Sequence, residues 1–340
     1  MTTQRDTTRA AVWRGEDRLE ISEWDLPPLG PLEVLVKVSA CGLCGSDLHV
    51  LDGGFPGLAP PVVLGHEPAG TIAAFGSGVT SFAEGDAVTW EPNVTCGRCF
   101  ACRDGQDANL CEQRARVSGS FADYTVVPIR ALHRQPEGCE QHAIVMAEPL
   151  SCALYAFDRG QARVDHSVAI IGAGTIGLLL LMLVRRAGAR AVMVSDPNPA
   201  KREIARRLGA DVTVDPTSEG FEGTTWRLTN GRGFDVAFEA VGMPRTIEDT
   251  IGVVRAGGHA VLVGASRPND VASIDLVSVQ SRDLTISACG LRKHTFQRAL
   301  TLLSILPVAE LVTHEVPLED VSEAVRLLRH GAATKVVVVP

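Results

Sequence analysis

Cys96, Cys99, Cys102 and Cys111 stand in one short stretch of chain, the first three spaced two residues apart. Four thiolates at such spacing can close a tetrahedron around Zn²⁺, leaving no position for water or substrate. A closed centre of that kind supports folding and performs no chemistry. The same donors also serve a four-cysteine iron–sulfur cluster, because ligand type alone does not separate the two metals. A second set is dispersed over Cys44-Gly45-Ser46-Asp47-Leu48-His49, Gly65-His66-Glu67 and Glu148-Pro149-Leu150. Cys44, His66 and a carboxylate could bind Zn²⁺ with one position open, as a catalytic centre requires. Taken singly, a cysteine is usually a small core residue and a histidine a hydrogen-bonded one, so the combination carries the signal.

Gly172-Ala173-Gly174-Thr175-Ile176-Gly177 is a GxGxxG turn in the right setting, entered by apolar Val168–Ile171 and left by helix-forming Leu178–Arg186. Gly172 permits the tight turn, Gly174 admits a pyrophosphate against the backbone, and Gly177 lets helix and strand pack closely. The helix start at Thr175 and Ile176 offers free N–H groups to phosphate. Asp196 ends the next apolar run, where it can accept from both ribose hydroxyls and would repel a 2′-phosphate. That favours NAD over NADP, while Arg202 and Lys201 nearby keep NADP open.

The elements that must hold these residues follow from pattern and composition. The chain has 340 residues, 45% hydrophobic and 21% charged, enough for a sizeable core and two domains. Lys and Arg total 32 against 40 Asp and Glu, a net charge of −8, and aromatics are 5%. Such a chain gains nothing from counterion release, so nucleic-acid binding is not expected. Met1–Ala10 is polar, and the longest apolar stretch, Ala169–Val184, is broken by glycines and short of the ~20 residues of a membrane span. A cytoplasmic protein without membrane contact is expected, and nine cysteines, an odd number, argue against a disulfide framework. Residues 9–90 read as short strands cut by Gly and Pro, and 91–120 as a long Cys-rich loop. From about 147, strands alternate with helix-length segments, the signature of a parallel sheet. The expected organisation is an α/β dinucleotide domain over 154–285, inserted in a mostly β domain of 1–153 and 286–340 with a lobe at about 91–113.

Together these motifs resemble the zinc-dependent medium-chain dehydrogenases, in particular their polyol (sorbitol-type) branch. The carrying residues are Cys41–His49, Gly65-His66-Glu67-Pro68-Ala69-Gly70, the four-Cys loop, Glu148-Pro149-Leu150 and the GxGxxG turn with Asp196. The resemblance implies a discontinuous GroES-like β-barrel catalytic domain and a doubly wound Rossmann domain. It implies two zinc ions per subunit: a structural one on Cys96, Cys99, Cys102 and Cys111, and a catalytic one on Cys44 and His66. Glu67 and Glu148 would complete the catalytic set, directly or through water. Ser46 would take the alcohol proton and His49 pass it towards solvent, with Asp47 orienting His66. The implied reaction is hydride transfer between NAD and a secondary alcohol of a polyol, cyclitol or aminocyclitol, in a homodimer or homotetramer. A threonine-type amino-alcohol dehydrogenase, a primary alcohol dehydrogenase and a non-enzymatic zinc ribbon are the competing readings. Val50 stands where sorbitol enzymes carry an aromatic residue, and the Cys102–Cys111 gap is one residue longer than usual. Arg292 falls at a substrate-binding position, with Lys293 replacing an aromatic neighbour.

Overall fold

The computed structural model describes residues 5–53, 58–106, 108–117, 119–218, 220–290 and 294–340. Arg292 and Lys293 lie outside the described residues. The chain divides into two compact units, Met1–Pro149 with Phe296–Pro340, and Leu150–Thr295.

The first unit is built around the strand Glu33–Leu43, a run of alternating and then continuous apolar residues that is buried along most of its length. It pairs antiparallel with Glu67–Phe75, with Tyr124–Pro128 and with Lys335–Val339, inside a sheet that has seven strands among the described residues. Val34, Val36 and Val38 enter one core with Ile72, Val88, Trp90 and Val127. Cys41 and Leu43 enter another with Trp13, Leu51, Phe121, Val336 and Val338. The strand changes core where its register against Glu67–Phe75 shifts, between Val38 and Ala40. The last strand, Lys335–Val339, also pairs in parallel with Val312–Pro317, so the C-terminal segment completes the sheet that the N-terminal segment begins. Asn93–Val94 pairs with Ala115–Arg116 and closes the base of the four-cysteine lobe.

Among the described residues the second unit holds six parallel strands in the order third, second, first, fourth, fifth, sixth. Its first two strands, Ser167–Ile171 and Ala191–Ser195, are buried at every residue, as strands covered on both faces must be. The order reverses between the first and fourth strands, and ligands bind outside the carboxyl ends of such strands at that point. The fifth strand spans Val254–Leu262, longer than the His259–Val263 its apolar run suggests. Gly258 lies within this strand and allows a close approach there, since a Cβ would lie 2.6 Å from Val254 Cγ1 and 2.9 Å from the Asp235 carbonyl oxygen.

Asp235 ties the fourth strand to the first. Its Oδ2 accepts from the Ser167 amide at 2.7 Å and hydroxyl at 2.8 Å, and its Oδ1 accepts from Arg255 Nε at 2.7 Å. Burial opposes the charge, but these donors outweigh it and hold the Asp235 carboxyl down at about 2. The folded state therefore binds this proton less tightly than the unfolded chain. The stabilisation is complete above the unfolded value of about 4 and is lost as pH falls through about 2. Asp235→Asn is expected to cost on the order of 2 kcal/mol at neutral pH. Denaturant melts should show the gap between wild type and variant closing as pH falls across that window. A gap independent of pH would assign the loss to geometry and not to charge.

Candidate active site and metal centres

The strand Glu33–Leu43 runs directly into the helix Gly45–Leu51, whose N-cap is Cys44. Asp47 lies in the first turn of this helix, 3% exposed. Its Oδ2 accepts from the Cys44 amide at 3.0 Å, while its Oδ1 lies 3.3 Å from His66 Nδ1. One carboxylate thus sets the position of two candidate ligands. With Nδ1–H donated to Asp47, His66 Nε2 carries the lone pair that a metal needs. Ser46 Oγ lies 3.3 Å from that same Nε2, and His49 follows one turn further along the helix, half-buried.

The turn that presents His66 depends on Gly65, at φ +91°, where a Cβ would lie 2.7 Å from the Phe121 amide nitrogen. The Gly119 and Ser120 amides donate to the Gly65 carbonyl at 3.1 and 3.2 Å, so the 119–121 segment pins the turn.

Glu67 is fully buried, and both of its oxygens accept from Lys335 Nζ, at 2.7 and 2.6 Å. Lys335, 2% exposed, also donates to the Leu43 carbonyl at 3.1 Å. Gly42 makes room for this arrangement, since a Cβ there would lie 2.0 Å from Glu67 Oε2. Sequence reasoning reads Glu67 as a ligand and does not find Lys335, whose one trace is a cation heading four valines, Lys335-Val336-Val337-Val338-Val339.

The ligand atoms of Cys44, His66 and Glu67 all lie within 4.8 Å of one another. Glu148, in the first turn of the helix Ala147–Gly160, falls outside that trio, yet its charge reaches both Glu67 and Lys335. Burial disfavours the charged His66 ring, but Asp47 and then Cys44 more than offset it and raise its pKa well above the usual range. Burial also raises Glu67, against the pull of Lys335 and His66. A cation at the trio therefore replaces a proton, the behaviour of a metal site.

The sulfurs of Cys96, Cys99, Cys102 and Cys111 also lie within 4.8 Å of one another. Sγ–Sγ distances of 3.5 Å for Cys99–Cys102 and 4.0 Å for Cys96–Cys102 bracket the edge of about 3.8 Å that four Zn–S bonds of ~2.3 Å require. The Arg98 and Cys99 amides are aimed at Cys96 and hold its thiol down at about 6. None of the nine cysteines is in a disulfide. Both donor sets fit zinc.

In the second unit, Gly172 has φ +104°, and a Cβ on Gly177 would lie 1.9 Å from the Gly172 carbonyl oxygen, so the fold itself requires both glycines. A Cβ on Gly174 would meet nothing within 4 Å. The chain leaves that space open beside the start of the helix Thr175–Arg186, and a dinucleotide phosphate fits it. Asp196, 8% exposed, accepts from the Ala173 amide through Oδ2 and from the Asn198 amide through Oδ1, each at 2.8 Å. Each oxygen keeps a lone pair for a ribose hydroxyl. Arg202 lies beside Asp196: its Nη1 donates to the Asp196 and Pro197 carbonyls at 2.6 and 2.8 Å and to Asp215 at 3.1 Å.

A barrel unit bearing a thiolate–imidazole–carboxylate set, in one chain with a dinucleotide-binding sheet, defines a zinc-binding, nicotinamide-dependent dehydrogenase. Residues 30–137 match the alcohol dehydrogenase GroES-like domain, and residues 175–304 match the zinc-binding dehydrogenase domain. Sorbitol dehydrogenase of Bacillus subtilis (strain 168) is 32% identical over 93% of this chain and 92% of its own. L-threonine 3-dehydrogenase of Pyrococcus horikoshii is 33% identical over 94% of each. A Sinorhizobium meliloti 1021 structure bound to NADP superposes with a TM-score of 0.91 at 31% identity, covering 99% of this chain and 100% of its own. The chain belongs to the zinc-dependent medium-chain alcohol and polyol dehydrogenase family. Among the described residues no helix is long and apolar enough to cross a membrane.

Proposed function

We propose that this dehydrogenase transfers a hydride between NAD and a secondary alcohol of a polyol, cyclitol or aminocyclitol. The observation that carries the reading is the Cys44–His66–Glu67 trio, with Asp47 fixing two of its members and Ser46 within reach of His66 Nε2. Cys44, His66 and Glu67 would hold a catalytic zinc, with Glu148 nearby, and the four lobe cysteines a structural one. When bound, the catalytic zinc supplies a Lewis acid to the substrate oxygen, and the nicotinamide supplies the hydride acceptor. Ser46 receives the hydroxyl proton, and His49, one helical turn away, carries it towards solvent. Asp47 keeps His66 in one tautomer throughout.

Asp196 supports NAD, since its carboxylate would oppose a 2′-phosphate and Arg202, bound to Asp215 and two carbonyls, is not placed to offset it. The similarity to L-threonine 3-dehydrogenase supports a second reading, oxidation of a 3-hydroxy amino acid. Exposed Val271, Leu276 and Val277, in the segment leading to the edge strand Thr285–Ala288, support a homodimer or homotetramer.

The test follows reduced nicotinamide with NAD and with NADP across polyols, inositols, aminocyclitols and threonine, with a chelator-treated sample in parallel. Turnover lost on chelation is expected; turnover indifferent to chelation overturns the zinc mechanism. Asp196→Ser is expected to raise the NADP-to-NAD preference by about 10–100-fold, the range of one or two hydrogen bonds to a charged group.

A further inference from the structure

The fourth strand of the second unit, Phe234–Glu239, is a mostly apolar run that ends on an acid, and that acid is fully buried. Glu239 Oε1 accepts three hydrogen bonds, from the Val241 amide at 2.9 Å, the Gly242 amide at 2.8 Å and the Thr246 hydroxyl at 2.7 Å. Thr246 lies in the first turn of the helix Pro244–Val253, so one oxygen joins the strand end, the turn 240–243 and the helix start. The other oxygen, Oε2, is buried without a donor among the described residues. Gly264 packs against it: a Cβ there would lie 2.7 Å from Oε2 and 2.1 Å from the Gly242 amide nitrogen. The Glu239 carbonyl also accepts from the Val263 and Gly264 amides at 2.8 and 3.0 Å, which ties the exit of the fifth strand to the same residue.

An oxygen buried without a donor costs stability, and an apolar side chain of like size would carry no such cost. Stability therefore does not account for the acid; what Oε1 organises does. The turn it organises lies against the glycine turn. A Cβ on Gly172 would lie 2.7 Å from Val241 Cγ2 and 3.2 Å from the Ala240 carbonyl oxygen, and the Ala240 amide donates to the Ile171 carbonyl at 2.9 Å. Val241 and Met243 leave apolar side chains exposed on this turn. A doubly wound sheet binds the two halves of a dinucleotide on either side of its switch point. Asp196, after the second strand, marks the adenosine side, so the turn after the fourth strand lies on the nicotinamide side.

We propose that Glu239 is a positioning residue for the nicotinamide half of the cofactor, holding the turn 240–243 in its binding shape before the cofactor arrives. The inference rests on reading the glycine turn and Asp196 as the dinucleotide site. Without Oε1 the Val241 and Gly242 amides lose their acceptor, and the cost of ordering the turn falls on cofactor affinity.

Calorimetric titration of the full-length chain tests it, comparing the tighter of NADH and NADPH with AMP, which carries the adenosine half alone. Glu239→Leu is expected to bind the dinucleotide about 10–100-fold more weakly and AMP as wild type does. Glu239→Gln, whose amide oxygen can still accept from the turn, is expected to recover most of the loss. Thr246→Val removes one of the three donors and leaves the strand end untouched. It is expected to lose about 2–10-fold on the dinucleotide alone, and it decides the matter if Glu239→Leu does not fold. A role in folding only would move both ligands together. Equal losses on dinucleotide and AMP, or an unchanged dinucleotide affinity in the folded variant, overturns the proposal and leaves the cofactor reading standing. A wild-type chain that binds neither dinucleotide overturns that reading as well.

Discussion

Cys44→Ser is expected to lower kcat/KM by about 10³-fold or more, since a Lewis-acid metal contributes several kcal/mol of charge stabilisation and each 1.4 kcal/mol is about tenfold. A serine hydroxyl keeps its proton at neutral pH and cannot replace a thiolate ligand. The bond from the residue-44 backbone amide to Asp47 does not involve the side chain, so the helix Gly45–Leu51 keeps its start. The loss should therefore appear in activity and not in folding: circular dichroism unchanged, and metal analysis reporting about one zinc per chain fewer, the lobe still loaded. Full activity in Cys44→Ser would place the metal chemistry elsewhere than in the trio.

Lys335→Met is expected to cost about 3–5 kcal/mol, the usual penalty for removing one partner of a buried ion pair. Lys335 and Glu67 are 2% and 0% exposed, and the lysine spans both carboxylate oxygens, so the variant leaves a buried carboxylate without the cation that spans it. The pair as such is not the source of stability, because desolvation of two charges offsets most of their attraction. The double variant Lys335→Met/Glu67→Gln should accordingly recover most of the loss in denaturant melts, though not the activity. A double variant as unstable as the sum of the two single variants would show that packing around Leu43 and Gly42, and not charge, sets the penalty.

Most of the candidate site was legible because its residues are local in sequence. Cys44, Ser46, Asp47 and His49 share one strand-to-helix junction, the lobe cysteines one loop, and the glycines one turn. Their spacing is their geometry. The parallel order of the second unit was equally readable, since strands buried on both faces show as unbroken apolar runs. What escaped were features decided between distant segments. Leu19–Asp25 alternates but exposes most of its residues at a sheet edge, and its pairing with Thr7–Trp13 leaves little trace in composition. Arg202 reads as a cofactor residue from its distance to Asp196 along the chain, and the fold adds the bonds of its Nη1 to the 196–197 carbonyls. Glu67 reads as a ligand beside His66, whereas the partner that grips it stands 268 residues away.

That separation gives the centre a timetable. A ribosome adding about 5–20 residues per second reaches position 335 roughly 10–50 s after position 67. Throughout that interval Cys44, His66 and Glu67 are already made, the lobe can close on its own local cysteines, and the parallel-sheet unit can be completed. Glu67 alone has to wait for its lysine, the cation that spans both of its oxygens, until the valine strand arrives beside Leu43. The centre is thus sealed only once position 335 has been made, after every residue of the parallel-sheet unit.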